Sequence, residues 1–266
     1  MRIATWNVNG LRAILRSGAL EHMVGELHPH VVCLQETRVD LFTNRVANGA
    51  LEAVCRDGGR STVAYFRSNP REPHRAGVAI VAPDSWLAPA PVRDSWLYED
   101  EGRVVGAVVQ GAFVLLSVYA PNTGRDERVD YKLDFLSRQG DEVAWLHKKG
   151  HAVVLAGDFN VVRDELDVHD WRGTLGQAGN REEETDAWLA FLQRRNTSHV
   201  DAWRESHPGE RQYTWWDLRT NGRRRGRGWR IDTFVVDSAL IPLVAECTVH
   251  DSIQGSDHCP VTLDME

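Results

Sequence analysis

The chain has 266 residues, 42% hydrophobic and 26% charged, with a formal net charge of −7, the composition of a folded globule with a sizeable core. The opening MRIATWNVNG has no basic start followed by an apolar stretch, so no secretory signal is expected, and the longest apolar runs, around Val78–Ala82 and Ala112–Val118, are far too short to cross a bilayer. Cys33, Cys55, Cys247 and Cys259 show neither C-x-x-C pairing nor zinc spacing and read as reduced core residues of an intracellular protein.

In chain order, Arg2–Asn7 is a short β run, and Leu11–Leu27 has the apolar spacing of a helix that ends before Pro29. Val31–Gln35 reads as a short buried strand. Thr62–Phe66, Gly77–Ala82, Val104–Gln110 and Phe113–Tyr119 follow as strands, the last two separated by Gly111-Ala112 as in a hairpin. Val129–Lys148 is predicted helical, with Leu133, Leu136, Val143 and Leu146 on one stripe. Val153–Ala156 is a buried strand leading into Gly157, and Glu182–Arg195 is a second long helix. Arg230–Val236 and Val261–Leu263 close the set as strands. No internal repeat, low-complexity tract or dividing linker is visible, so residues 1–266 are read as a single catalytic domain. Several β runs follow one another without helices, which fits two packed sheets flanked by helices better than an alternating parallel sheet.

Asn7, Glu36, Tyr119, Asp158, Asn160 and Asp257 all fall at or just beyond the end of an apolar run, where binding and catalytic groups gather. Singly, each has a plainer reading. Glu36 can be a strand-end charge, Asp158 in Gly157-Asp158-Phe159-Asn160 can be turn chemistry, and His258 is one of 11 histidines. Asp232 lies within a strand, where an acid facing a core needs a partner.

Together they form an ordered series: Asn7-x-Asn9-Gly10, Leu34-Gln35-Glu36, Tyr119-x-Pro121-Asn122, Gly157-Asp158-x-Asn160, Trp229-Arg230-Ile231-Asp232 and Ser256-Asp257-His258. This series resembles the exonuclease III family of apurinic/apyrimidinic endonucleases, within the DNase I-like phosphodiesterases, over essentially the whole chain from Ile3 to Val261. The resemblance implies an α/β fold, a four-layer α/β/β/α sandwich with the site at one edge of two packed mixed sheets. It also implies Mg2+, with Mn2+ as a substitute, held principally by Glu36 with Asn7 and Asp257 nearby. Asp158 would orient or deprotonate the attacking water, and Asn160 would hold that water or the phosphate. His258, paired with Asp232, would bind the scissile phosphate, and Tyr119 and Asn122 would reach it from the opposite wall. Asn9 stands where some relatives place an aspartate, which leaves it an expected neighbour of the site rather than the ligand of a second ion.

The wider superfamily includes inositol-phosphate phosphatases, so the catalytic set alone does not name the substrate. Tyr213–Ile231 is more decisive. By resemblance, Trp215, Trp229 and Ile231 line a small pocket that accepts a flipped-out sugar lacking its base. The tryptophans can also be core residues, as Trp145 and Trp188 are expected to be on helix faces. Arg223, Arg224, Arg225, Arg227 and Arg230 make a local basic cluster, of which Arg223, Arg224, Arg225 and Arg227 are read as a loop that follows a DNA backbone, and Arg125 is a weaker candidate for DNA contact. A net negative charge is compatible with that, because binding depends on where charge sits.

The expectation is therefore a cytoplasmic enzyme, nucleoid-associated if bacterial, monomeric and free of membranes. It would nick double-stranded DNA on the 5′ side of abasic sites and act on 3′ ends as a 3′-to-5′ exonuclease and 3′-phosphatase. A phosphodiesterase for another phosphoester, such as an inositol phosphate, and a non-catalytic DNA-binding module are the two rivals.

Overall fold

The computed structural model describes residues 1–55, 62–91, 101–124, 126–194 and 198–266; Arg125 lies outside them. The first sheet-forming stretch contains β1 (Arg2–Asn7), α1 (Leu11–Arg16), α2 (Ala19–Leu27), β2 (Val31–Gln35), α3 (Arg45–Val54), β3 (Thr62–Arg67) and β4 (Val78–Pro83). β5 (Leu87–Pro89), β6 (Val104–Val109), β7 (Phe113–Tyr119), α4 (Val129–Lys148) and β8 (Val153–Asp158) follow. Then come α5 (Trp171–Thr174), α6 (Glu182–Leu192), β9 (His199–Asp201), α7 (Ala202–Ser206), β10 (Trp215–Trp216) and β11 (Gly228–Trp229). β12 (Asp232–Asp237), β13 (Val244–Val249) and β14 (Val261–Met265) complete the order.

One six-stranded sheet runs β13-β14-β1-β2-β4-β3 and a second runs β5-β6-β7-β8-β12-β9, while β10 and β11 pair as a separate ribbon. The parallel pairs β1–β2 and β7–β8 are each joined by a helical crossover, as parallel neighbours require. Because successive strand residues face opposite ways, each sheet buries both faces. Ile3, Cys33 and Ile80 meet Ala107, Leu115, Ala156 and Phe234 between the sheets. Their neighbours Ala4, Trp6, Leu34 and Ala79 face α1, α2 and α3 through Leu11, Leu20, Met23 and Leu51. On the far side, Val114, Leu116 and Leu155 cover Phe135, Leu136 and Val143 of α4 and Trp188 of α6. This is the four-layer sandwich expected, and double burial explains why its strands read as unbroken apolar runs.

Gln35 is a polar exception between the sheets. Fully buried, it hydrogen-bonds Thr5 of its own sheet and donates to Ser117 Oγ of the other at 3.0 Å, next to the strand ends that carry the site.

Several boundaries differ from expectation. The run Leu11–Leu27 is two helices, because Gly18 takes φ 70 between them and turns the chain. β8 continues two residues past Ala156 to Asp158, β12 begins at Asp232 rather than Arg230, and α6 stops at Leu192. The short β9–β11 elements carry too few patterned residues to be seen, whereas α3 and β13 were passed over although α3 buries a stripe of Ala47 and Leu51. All four cysteines are buried free thiols, and no helix among the described residues is long and apolar enough to cross a membrane.

Candidate active site

The two sheets end at a common edge. β1 delivers Asn7, β2 runs directly into Glu36, β7 ends at Tyr119, β8 at Asp158, and β12 starts at Asp232. Asp257 and His258 lie on the loop that leads through Cys259 and Pro260 into β14. Register places Tyr119 and Asp232 on either side of Asp158. Gly157 allows this approach: a Cβ there would lie 1.9 Å from the Val118 carbonyl oxygen, so any side chain would force β7 away from β8.

Asn7, fully buried, donates from Nδ2 to Glu36 Oε1 and to Asp158 Oδ2, both at 2.9 Å. Its amide oxygen accepts the Asn9 N–H at 3.1 Å, so Asn7 organises the carboxylates and turns that oxygen toward the backbone. Glu36 sits at φ 50 and Arg38 at φ 51, strained for side-chain-bearing residues, and the Arg38 guanidinium caps Glu36 Oε2. Asp158 Oδ1 accepts the Asn160 N–H at 2.9 Å, with Asn160 itself in the left-handed region at φ 52. Asn122 Nδ2 donates to Asn160 Oδ1 at 3.0 Å, bringing both asparagines onto one wall.

His258 donates from Nδ1 to Asp232 Oδ2 at 2.8 Å and turns Nε2 toward Asp158 Oδ2, 3.9 Å away. Thr214, which sequence reasoning passed over inside Tyr213-Thr214-Trp215-Trp216, donates to the same Asp232 oxygen at 2.6 Å. Its hydroxyl also accepts the Ile231 and Asp232 N–H groups at 3.1 and 3.0 Å. Asp257 accepts from Asn9 Nδ2 at 2.8 Å and from Trp215 Nε1 at 3.1 Å.

Charge in this buried space is unevenly shared. Burial opposes the His258 cation, but Asp232, by charge and hydrogen bond, with Asp158 and Asp257 behind it, raises the imidazolium to about 10. Burial, then the adjacent Asp232 charge, lifts the Asp158 carboxyl to about 7 against the opposing pull of His258. Burial raises Asp257 too, yet the His258 charge and the bonds from Trp215 and Asn9 win and hold it below its ordinary value. Tyr119, buried beside Glu36 and Asp158, is pushed well above the usual phenol range and stays a neutral hydroxyl.

Glu36, Asp158 and His258 bring one ligand atom each within 4.8 Å of one another, the cluster among the described residues with metal-holding spacing. His258 fits such a role poorly, because Nδ1 is committed to Asp232 and the surrounding acids favour the charged ring, which has no lone pair to give. The two carboxylates remain, oxygen donors that suit a hard divalent cation. Asp257 lies outside this cluster with both oxygens already accepting hydrogen bonds.

A cleft of about 850 Å³ opens over the set, lined by Glu36, Tyr119, Asn122, Asp158, Asn160 and His258, with Trp215, Trp229 and Ile231 forming one wall. Trp215 and Trp229 pair across the β10–β11 ribbon, edge to face with ring centres 6.3 Å apart. Trp229 is only 8% exposed and packs on Val162, Val168 and Ile231, so it is core and wall at once.

The basic cluster divides. Arg224, Arg225 and Arg227 are exposed and Arg227 reaches the cleft, whereas Arg223 folds back over Trp216 with its guanidinium carbon 4.3 Å from the ring centre. Arg223–Arg225 form a 3-10 turn. Arg230 is no part of that surface. It is buried between Asp167 and Asp201, with Nε 2.7 Å from one and Nη2 2.8 Å from the other. Arg219, exposed beside the cleft, was missed because a lone arginine gives no pattern.

Comparison with known proteins bears on the family and the fold. The model of the endonuclease/exonuclease/phosphatase family matches residues 4–258. An exodeoxyribonuclease of Bacillus subtilis (strain 168) is 31% identical over 99% of this chain and 98% of its own. The DNA repair nuclease APEX1 of Danio rerio is 31% identical, covering 99% of this chain and 81% of its own. The crystal structure of the AP endonuclease LMAP from Leishmania major superposes with a TM-score of 0.86 at 26% identity, covering 100% of this chain and 87% of that one.

Proposed function

The chain belongs to the endonuclease/exonuclease/phosphatase family, and we propose that it is a DNA repair nuclease that hydrolyses the phosphodiester 5′ to abasic sites. We extend the reading to 3′-to-5′ exonuclease and 3′-phosphatase action on duplex ends. One observation carries it: Glu36 and Asp158, bridged by the Asn7 amide, and the hydrogen-bonded His258–Asp232 pair lie together at the foot of a cleft whose wall is Trp215, Trp229 and Ile231.

Hydrolysis needs a positioned water, a home for charge at phosphorus and help for the leaving oxygen. Asp158 and Asn160 present an acceptor and an amide to the same space, which suits them to align a water and to take its proton. His258, held as an imidazolium by Asp232, turns Nε2–H toward that space and would donate to a non-bridging phosphate oxygen. Thr214 fixes the Asp232 carboxylate, so the ring cannot swing. Tyr119 and Asn122 flank the opposite side. Glu36 and Asp158 would hold magnesium, or manganese in its place, and the bound cation would neutralise the charge developing on the phosphate and leaving oxygen.

The indole wall supports the abasic preference. A sugar without its base can lie against flat apolar rings, while an intact nucleotide needs more width. Exposed Arg224, Arg225 and Arg227 beside the cleft suit contact with a phosphate backbone.

The test offers purified protein three substrates: duplex DNA with an abasic analogue, duplex DNA with a recessed 3′ end, and a soluble inositol phosphate. Cleavage of the first two, abolished by chelator and restored by magnesium or manganese, is expected. Turnover of the inositol phosphate alone would overturn the reading.

A further inference from the structure

Behind the cleft lies a charged pair that the hydrolytic steps above do not use. Lys132 on α4 and Glu184 on α6 are both fully buried, with Nζ 3.0 Å from Oε1. The same ammonium donates to the main-chain carbonyl of Asn160. The second Glu184 oxygen accepts the Gly179 N–H at 2.7 Å. Gly179, at φ +87, leaves room for only a hydrogen: a Cβ there would lie 3.0 Å from the Asn160 carbonyl oxygen and 3.3 Å from the Trp229 ring. One ion pair thus touches the peptide after Asp158-Phe159 and the turn that backs the indole wall.

Removing two charges from water is costly, and an apolar pair of equal volume often serves stability as well. What an apolar pair cannot do is donate to a carbonyl. Asn160 needs such a restraint, since its left-handed φ of 52 is strained for a residue with a side chain. Its N–H and side chain both meet Asp158 in that conformation.

We propose that Lys132 and Glu184 are positioning residues: Lys132 clamps the Asn160 peptide so that it presents its N–H and amide to Asp158, and Glu184 seats the Gly179 turn against Trp229. The proposal rests on the reading of Asp158 and Asn160 as the water-handling pair. Wild-type activity on abasic DNA, measured in the same assay, tests that reading separately.

The experiment is the full-length double variant Lys132→Met/Glu184→Leu. A thermal midpoint at or above wild type is expected, with kcat on abasic duplex down about tenfold or more and KM within about threefold, the signature of a lost transition-state alignment. Unchanged midpoint with kcat within about twofold of wild type would overturn the proposal. Glu184→Gln gives an independent answer, since it keeps the volume, an acceptor for Gly179 and the Lys132 bond to Asn160. It should retain kcat within about threefold, and a loss as deep as that of the double variant would show that the ion pair, not the carbonyl clamp, matters.

Discussion

Asp232 gives one oxygen to two donors: Oδ2 accepts from His258 Nδ1 at 2.8 Å and from Thr214 at 2.6 Å, while Oδ1 is buried with no partner among the described residues. The His258 proton is therefore held from one side. In metal-free protein, ring nitrogen NMR should show His258 titrating near 10, and Asp232→Asn should bring it down sharply. The folded value exceeds the ordinary 6.5, so the stability this pair contributes is fully present below 6.5 and is lost as pH rises through about 10. The melting difference between wild type and Asp232→Asn should accordingly be larger at about pH 6 than at about pH 10. A difference independent of pH would show that the ring is neutral.

Asp158→Asn should cost about a hundredfold or more in kcat while abasic duplex still binds, as removal of a base does. His258→Ala and Asp232→Ala should each be severely impaired, and the double variant should be little worse than the poorer single, because paired groups act as a unit. Losses that multiply cleanly would separate the two residues.

Trp229→Ala should lower the thermal midpoint as well as abasic cleavage, since that ring packs on Val162, Val168 and Ile231. Trp215 is half-buried and gives the cleaner test of the wall. Trp215→Ala should reduce abasic-site cleavage more than digestion of a recessed 3′ end, with little change in melting. Equal losses in both assays would remove Trp215 from sugar recognition.

Replacing Arg224, Arg225 and Arg227 with serine should raise KM for duplex and leave kcat at saturation nearly unchanged. It should also flatten the salt dependence by about 0.9 in log–log slope for each phosphate the variant no longer neutralises. Arg223→Ser should instead lower the melting point, because its side chain stacks on Trp216. A wild-type salt slope in the triple variant would make the turn a solvated tip.

Arg230→Met removes the cation from buried Asp201 and leaves buried Asp167 with Arg204 alone, and should destabilise the protein by about 3–5 kcal/mol in urea titration. Arg224→Ser, on the exposed turn of the same basic run, should change stability by less than about 0.5 kcal/mol.

The strand-end motifs were legible because each is anchored to an apolar run that both faces bury, so Asn7, Glu36, Tyr119 and Asp158 could be located by counting outward from β1, β2, β7 and β8. What escaped was set by tertiary contact. Lys132 sits in a helix whose pattern suggested Leu133 as core, yet Leu133 is half-buried and Lys132 wholly so, because Glu184 arrives from 52 residues away. Arg223 and Arg230 looked equivalent to Arg224 in a run of like residues, and only Trp216 in one case and Asp167 with Asp201 in the other tell them apart. Thr214 offered no pattern at all, since its hydroxyl gains meaning from an aspartate 18 positions later.

The division of the site between the sheets has a consequence for how the protein comes into being. Asn7, Glu36 and His258 hang from the sheet of β1, β2 and β14, whereas Tyr119, Asp158 and Asp232 belong to that of β7, β8 and β12. β1 pairs with β14, residues 2–5 against 261–264, so the first sheet cannot close until β14 has been synthesised. A nascent or half-refolded molecule thus holds Asp158 and Asp232 apart from Glu36 and His258 and lacks the assembled site. Competence should appear last, after secondary structure and hydrophobic burial, in the single event that docks one sheet on the other.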